Sequence, residues 1–159
     1  LVAYHLPLDA HAEVGNNALL IEQLGLKLAE PLGDYKGRTI GFVGSAGEGI
    51  TGEKLAATIS EQLGREPLHL AYGPERIERV GVIAGSAPDF IEQAAAAGCD
   101  AFITGEPAER VNSAAKELGI HLFAAGHHAT EKLGIMRLGA ILADHFGVQH
   151  EFIDIPNPI

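Results

Sequence analysis

Three times in the second half of this chain an apolar run ends in a glycine-bearing turn and passes into a helix-forming segment. Val80-Gly81-Val82-Ile83-Ala84 leads into Gly85-Ser86, Asp100-Ala101-Phe102-Ile103 into Thr104-Gly105-Glu106, and the run from Ile120 to Ala125 into Gly126-His127-His128. The helices that follow are expected from about Pro88 to Ala97, through Leu118, and from Gly126 to about Phe146. Strand-like and helix-like segments in alternation are the mark of βα units, so the fold class is α/β, a layered mixed sheet with helices on both faces. If the three strands are parallel, their turns share one sheet edge, at the carboxyl ends where open α/β folds bind ligands. Ser86, Thr104, Glu106, His127 and Glu131 then come within reach of one cleft.

The first half is less regular. Leu1 to Leu6 reads as a strand entered without a cap, stopped by Pro7. Asn16 and Asn17 are expected to cap a helix running to about Leu24, with Gly25 as its stop. A loop containing Pro31, Gly33 and Gly37 follows, then a strand from Thr39 to Val43. Gly44-Ser45-Ala46-Gly47-Glu48-Gly49 reads as a tight turn, and Thr51 caps a helix ending near Gly64. Leu68 to Tyr72 and Ile77 to Ala84 read as strands joined by a turn at Gly73-Pro74, and Val148 to Ile155 as a last strand.

Composition excludes several functions. Apolar runs stop well short of the ~18 residues of a membrane span. The 159 residues carry a formal net charge of −10, and the 11 Lys and Arg are scattered, which argues against nonspecific nucleic-acid binding. Cys99 stands alone, so an internal disulfide and a cysteine-based zinc site are both excluded, and a reducing, cytoplasmic compartment fits. The Gly44 to Gly49 segment lacks the Lys-Ser/Thr ending of a phosphate loop, and Glu48 would repel phosphate. Ser86 has one flanking glycine and no triad partners, and it suits a helix cap better than a nucleophile.

His127 and Glu131, four positions apart, share a helix face just after a buried strand. Imidazole with carboxylate is a ligand mix that zinc, manganese, iron or cobalt accept; the alternative is a cap at His127 with Glu131 favouring the positive helix end. Asp9, in a turn after Pro7, is the third candidate ligand, and three ligands leave positions open for water or substrate. His5 and His11 flank Asp9 and can orient a ligand or bind substrate, or serve as hydrogen-bonded core residues. His128 points elsewhere on the helix, toward a supporting or substrate-facing role. His69, His121, His145 and His150 have no acidic partner at a ligand spacing and read as structural.

Taken together, Tyr4-His5-Leu6-Pro7-Leu8-Asp9-Ala10-His11, Gly15-Asn16-Asn17, Gly85-Ser86, Thr104-Gly105-Glu106, Gly126-His127-His128-Ala129-Thr130-Glu131 and Phe152-Ile153-Asp154-Ile155-Pro156-Asn157-Pro158 resemble the NIF-three-like family, whose bacterial members carry the name GTP cyclohydrolase 1 type 2 homologue. The resemblance runs end to end and is strongest to the shorter bacterial form. It implies intertwined α/β domains and two divalent metal ions per intact protomer. They would be held by an N-terminal His-His pair and by Asp9, His127 and Glu131. No His-His pair precedes Leu1, so the chain is expected to be the family's C-terminal portion, with an approximate middle lobe at 36–125 and metal-bearing segments at 1–30 and 126–159. The resemblance also implies a homo-oligomer, a hexameric ring.

The leading expectation is a metal-dependent hydrolase acting on a nucleotide or related small molecule through metal-bound water, with His5 or Glu106 moving protons. The alternative is a noncatalytic metal-binding scaffold or regulator that recruits a partner.

Overall fold

A computed structural model describes residues 1–158. One six-stranded mixed sheet organises them, in the order β1-β2-β4-β5-β6-β3. The strands are β1 (Lys27–Tyr35), β2 (Arg38–Ile50), β3 (Leu68–Leu70), β4 (Ile77–Val82), β5 (Ala101–Thr104) and β6 (His121–Ala124). The helices are α1 (Leu6–Asp9), α2 (Asn16–Gln23), α3 (Gly52–Leu63), α4 (Ile91–Ala96), α5 (Glu109–Leu118), α6 (His127–Thr130) and α7 (Lys132–Phe146), with a 3-10 turn at Pro88–Phe90 before α4. None is long and apolar enough to cross a membrane.

The centre is the expected parallel trio: Gly81 pairs with Phe102, and Phe102 with Leu122. Successive residues face opposite sides, as the strand period of two requires. Ile103 and Phe123 join Leu20, Ile21, Leu55 and Ile59 of α2 and α3 in one core. Phe102 and Leu122 join Ile91, Ala94, Val111 and Ala115 of α4 and α5 in the other. Helices thus cover both faces. Cys99 is buried in the second core, and burial pushes its thiol up to about 11, so it stays an inert apolar group.

Several local expectations fail, each for a tertiary reason. Residues 27–35 are a strand, not a loop. Pro31 is tolerated because β1 lies at the sheet edge, and the hairpin to β2 closes through Lys36 and Gly37, both with positive φ. The Gly44 to Gly49 segment is not a free turn but the bulged continuation of β2 to Ile50, whose partner is Ile77. The two strands expected on either side of Gly73-Pro74 do form, as β3 and β4, but in separate places: β3 runs antiparallel to β6 at the far edge, whereas β4 lies between β2 and β5.

Both end segments also differ from expectation. Leu1 to Leu6 forms no strand; Pro7 sits in the first turn of α1, where its missing N–H costs nothing. Val148 to Ile155 is irregular as well. That segment and the residues after it are held by side chains instead of a ladder: His128 Nε2 meets Asp154 Oδ1 at 2.7 Å, Lys132 Nζ meets Asp154 Oδ2 at 3.1 Å, and Arg65 donates to the Pro158 carbonyl at 3.0 Å.

Candidate metal centre

The three turns beyond β4, β5 and β6 are stitched together by their own backbones. Gly105 N donates to Gly85 O at 2.8 Å, and Gly126 N donates to Gly105 O at 2.8 Å. Thr130 Oγ1 accepts the Gly85 amide at 3.1 Å and donates to Gly126 O at 2.9 Å, which ties the turn after β4 to α6. Close approach needs small residues. A Cβ on Gly105 would lie 2.6 Å from Gly85 O and 2.7 Å from His127 Cα. At Gly85 the φ of +68° is a left-handed conformation, and a Cβ there would lie 2.2 Å from Glu131 Oε1 and 3.1 Å from His127 Nε2.

Into this frame α6 delivers His127, and the junction between α6 and α7 delivers Glu131. The expected single helix breaks at Glu131, with φ −112° and ψ 11°, yet the four-residue spacing survives and His127 Nε2 lies 3.3 Å from Glu131 Oε2. Glu106, beyond β5, pairs with His127 Nδ1 on the opposite side of the ring. A carboxylate on one ring nitrogen fixes the tautomer and turns the other nitrogen toward the site, as metal-ligating histidines require.

Asp9, at the end of α1, is buried, and its Oδ1 accepts from Asn16 Nδ2 at 2.7 Å. Among the described residues, one ligand atom from each of His5, Asp9 and Glu131 lies within 4.8 Å of the others. His127 is not in that triple; Glu131 links it to the group, and all four side chains line one cavity of about 360 Å³. A larger cavity of about 810 Å³ opens beside it, lined by Glu106, His127, His128, Glu131 and Lys132, with apolar walls from Ile135 and the 152–158 segment.

The electrostatics match a site made for positive charge. Burial raises the Glu131 carboxyl above its ordinary range, opposed by the His127 charge and reinforced by the Asp9 charge. For His127, burial works against the imidazolium, but the Glu106 hydrogen bond and the Glu131 and Glu106 charges prevail and raise it. The hydrogen bond from His127 holds Glu106 below its ordinary range, with Ser86 adding a second bond. Two carboxylates brought together in a partly dry cleft repel each other, and a divalent cation is the group that would relieve this. Oxygen and imidazole donors from Asp9, Glu131, His127 and His5 suit zinc, manganese, iron or cobalt.

The remaining residues fall as follows. His11 turns outward and accepts from the amides of Glu13 and Val14. His128 lines the larger cavity but is tied to Asp154, whose carboxyl it lowers together with Lys132. Asn16, Asn17, Thr104 and Thr130 are buried at or behind the site, and sequence reasoning gave the asparagines only a capping role. Two amides opening a helix that continues Ala18-Leu19-Leu20-Ile21 were a readable signal, since buried amides demand partners.

Known proteins share this architecture. A protein of Pseudomonas aeruginosa named GTP cyclohydrolase 1 type 2 homolog is 46% identical over 158 residues, covering 99% of this chain and 62% of the relative. An Escherichia coli K12 protein of the same name is 44% identical over 162 residues, with 99% and 62% covered. The chain thus spans about three fifths of the length of these relatives, 62% in both cases. Among solved structures, protein ybgI, of unknown function, superposes with a TM-score of 0.92 at 42% identity, over 99% of this chain and 62% of that one. TTHA1606 from Thermus thermophilus gives 0.80 at 31%, over 99% and 61%. The family model of Duf34/NIF3 (NGG1p interacting factor 3) matches residues 1–158, and the chain belongs to that family.

Proposed function

We propose that this chain holds the greater part of a divalent-cation site and that the whole protein is a metal-dependent hydrolase of a nucleotide or related small molecule. The observation that carries the reading is the meeting of Asp9 and Glu131, distant in sequence, beside His5 and within reach of His127, in a cavity that adjoins a larger one with room for a small molecule. Asp9, His127 and Glu131 would hold the cation, with His5 as a further donor or a proton carrier. A bound divalent ion would supply Lewis acidity and lower the pKa of water from ~15.7 toward ~7.

The chain's own groups do the rest. Glu106 holds a proton between its carboxylate and His127 Nδ1, keeping Nε2 aimed at Glu131. In the absence of a cation the surroundings raise both His127 and Glu131 above their ordinary ranges, so cation uptake competes with protons there. The larger cavity takes the substrate against Ile135 and the 152–158 segment, and its openness beside the ligands favours turnover over a closed scaffold.

Two ions per protomer, a cytoplasmic location and a homohexameric ring belong to the same proposal. The exposed apolar side chains Ile135, Met136, Ile141, Leu142 and Phe146 on α7 favour self-association. Light scattering of the full-length protein tests the ring. Elemental analysis fixes ion identity and count. The relatives' name suggests GTP as the first substrate to try: formate release by the metal-loaded full-length protein supports the reading, and no metal-dependent turnover removes it.

A further inference from the structure

The asparagines opening α2 are not used by the chemistry above. They do not cap α2, whose N-cap is Gly15. Asn16 Nδ2 donates to Asp9 Oδ1 at 2.7 Å, and Asn16 Oδ1 accepts the Gly134 amide at 2.7 Å, from 118 positions away. Gly134 is the third residue of α7, and the first amides of a helix lack partners inside it. α7 has no side-chain cap at its own N-cap, Glu131, so Asn16 serves one of its free amides from another helix. The amide's orientation is fixed by its neighbours, because an ionised carboxylate only accepts and a backbone N–H only donates.

We propose that Asn16 is a positioning residue for the cation site. A single buried amide fixes the Asp9 carboxylate and ties it to the helix that begins one residue after Glu131, so it sets the spacing of the two carboxylates. A neutral donor occupies one Asp9 oxygen without cancelling the carboxylate charge, as a lysine or arginine would, and leaves that charge to the cation. Gly134 makes the approach feasible: a Cβ there would lie 2.9 Å from Asn16 Oδ1 and 3.1 Å from Leu8 Cδ2.

Asn17 provides the control. It donates to the carbonyls of Asp9 at 3.2 Å and Ile40 at 2.6 Å and accepts the Ala84 amide at 2.7 Å, so it bonds only backbone. It is a scaffold residue, whereas Asn16 touches a ligand side chain.

The inference rests on the cation reading of the site, and the experiment separates the two. Asn16→Ala and Asn17→Ala are compared in the full chain by calorimetric titration with Mn2+, by thermal melting in chelator, and by metal-free NMR of Gly134 amide exchange and the Asp9 carboxyl carbon shift. Asn16→Ala is expected to lose affinity about 10- to 100-fold, to deprotect Gly134 and to move the Asp9 resonance. Asn17→Ala is expected to lower the melting temperature more, with less loss of affinity and Gly134 still protected. Affinity that follows melting temperature alike in both variants, or unchanged Gly134 exchange in Asn16→Ala, overturns the positioning role. Wild-type protein that takes up no Mn2+ defeats the cation reading instead, and the two metal-free signals still decide whether Asn16 joins Asp9 to α7.

Discussion

At the start of β6, His121 faces His69 across the sheet edge; just past the end of the same strand, His127 lies between two glutamates. In the first pair His121 Nε2 meets the Pro74 carbonyl at 2.9 Å, so that nitrogen carries the hydrogen, Nδ1 accepts, and His69 Nε2 donates to it at 3.1 Å. His69 stacks on Phe123 with ring centroids 4.2 Å apart, and burial, with the repulsion from His121 that would arise if both rings were protonated, lowers its pKa. At the other end carboxylates raise His127. The same side chain is therefore pushed toward its neutral form at His69 and toward its protonated form at His127. Partners, not residue type, decide the difference.

Removing a ligand should separate the two ends most sharply. Glu131→Gln keeps the shape but removes a charge, and cation affinity is expected to fall by more than the ~10–100-fold typical of a supporting residue, with His69 and His121 undisturbed. Calorimetric titration reads the first and the histidine NMR resonances the second. Unchanged affinity would leave the site end no more functional than the other.

Gly85→Ala comes next. The left-handed backbone alone costs about 1–3 kcal/mol for a non-glycine residue, and the new Cβ would push Glu131 and His127 apart. Both melting temperature and affinity should drop. His121→Ala is the counterpart at the far end: it removes a buried ring that bonds half-buried His69 and the exposed Pro74 carbonyl, at about 0.5–1.5 kcal/mol for each hydrogen bond lost, and should leave affinity within error. A variant that lost affinity would couple ends that the structure keeps apart.

The pH dependence of stability in chelator should have opposite signs at the two ends. His69, lowered from 6.5, contributes stability that is present above 6.5 and lost as pH falls through its folded value. His127, raised from 6.5, contributes stability that is complete below 6.5 and lost as pH rises through its folded value. His69→Phe should flatten the acid limb of melting temperature against pH, and His127→Gln the limb above 6.5. Cation binding, which needs His127 neutral and Glu131 ionised, should tighten over that same upper range. The smallest effect is expected from Asp154→Ala, whose bonds to His128 and Lys132 are exposed. It should barely move the melting temperature but alter ligand affinity in the cavity bordered by the 152–158 segment.

The amino-acid sequence by itself determined the three central strands and the turns that follow them. The runs ending at Ala84, Ile103 and Ala125 are apolar on both faces, glycine turns follow, and these local signals survive any tertiary context. It also marked Asp9, His127 and Glu131 as the residues to watch. Tertiary structure decided what depends on a distant partner: that residues 27–35 find an edge to pair with, that the 1–6 and 148–155 segments do not, and that β3 pairs with β6 and not with β4. It also turned Asn16 from the expected cap of its own helix into a bridge between Asp9 and α7, and brought His5 beside two carboxylates. Local periodicity reports which face of a segment is apolar, whereas pairing, bridging and ligand spacing are set by which backbone and side-chain groups remain unsatisfied once the sheet has closed.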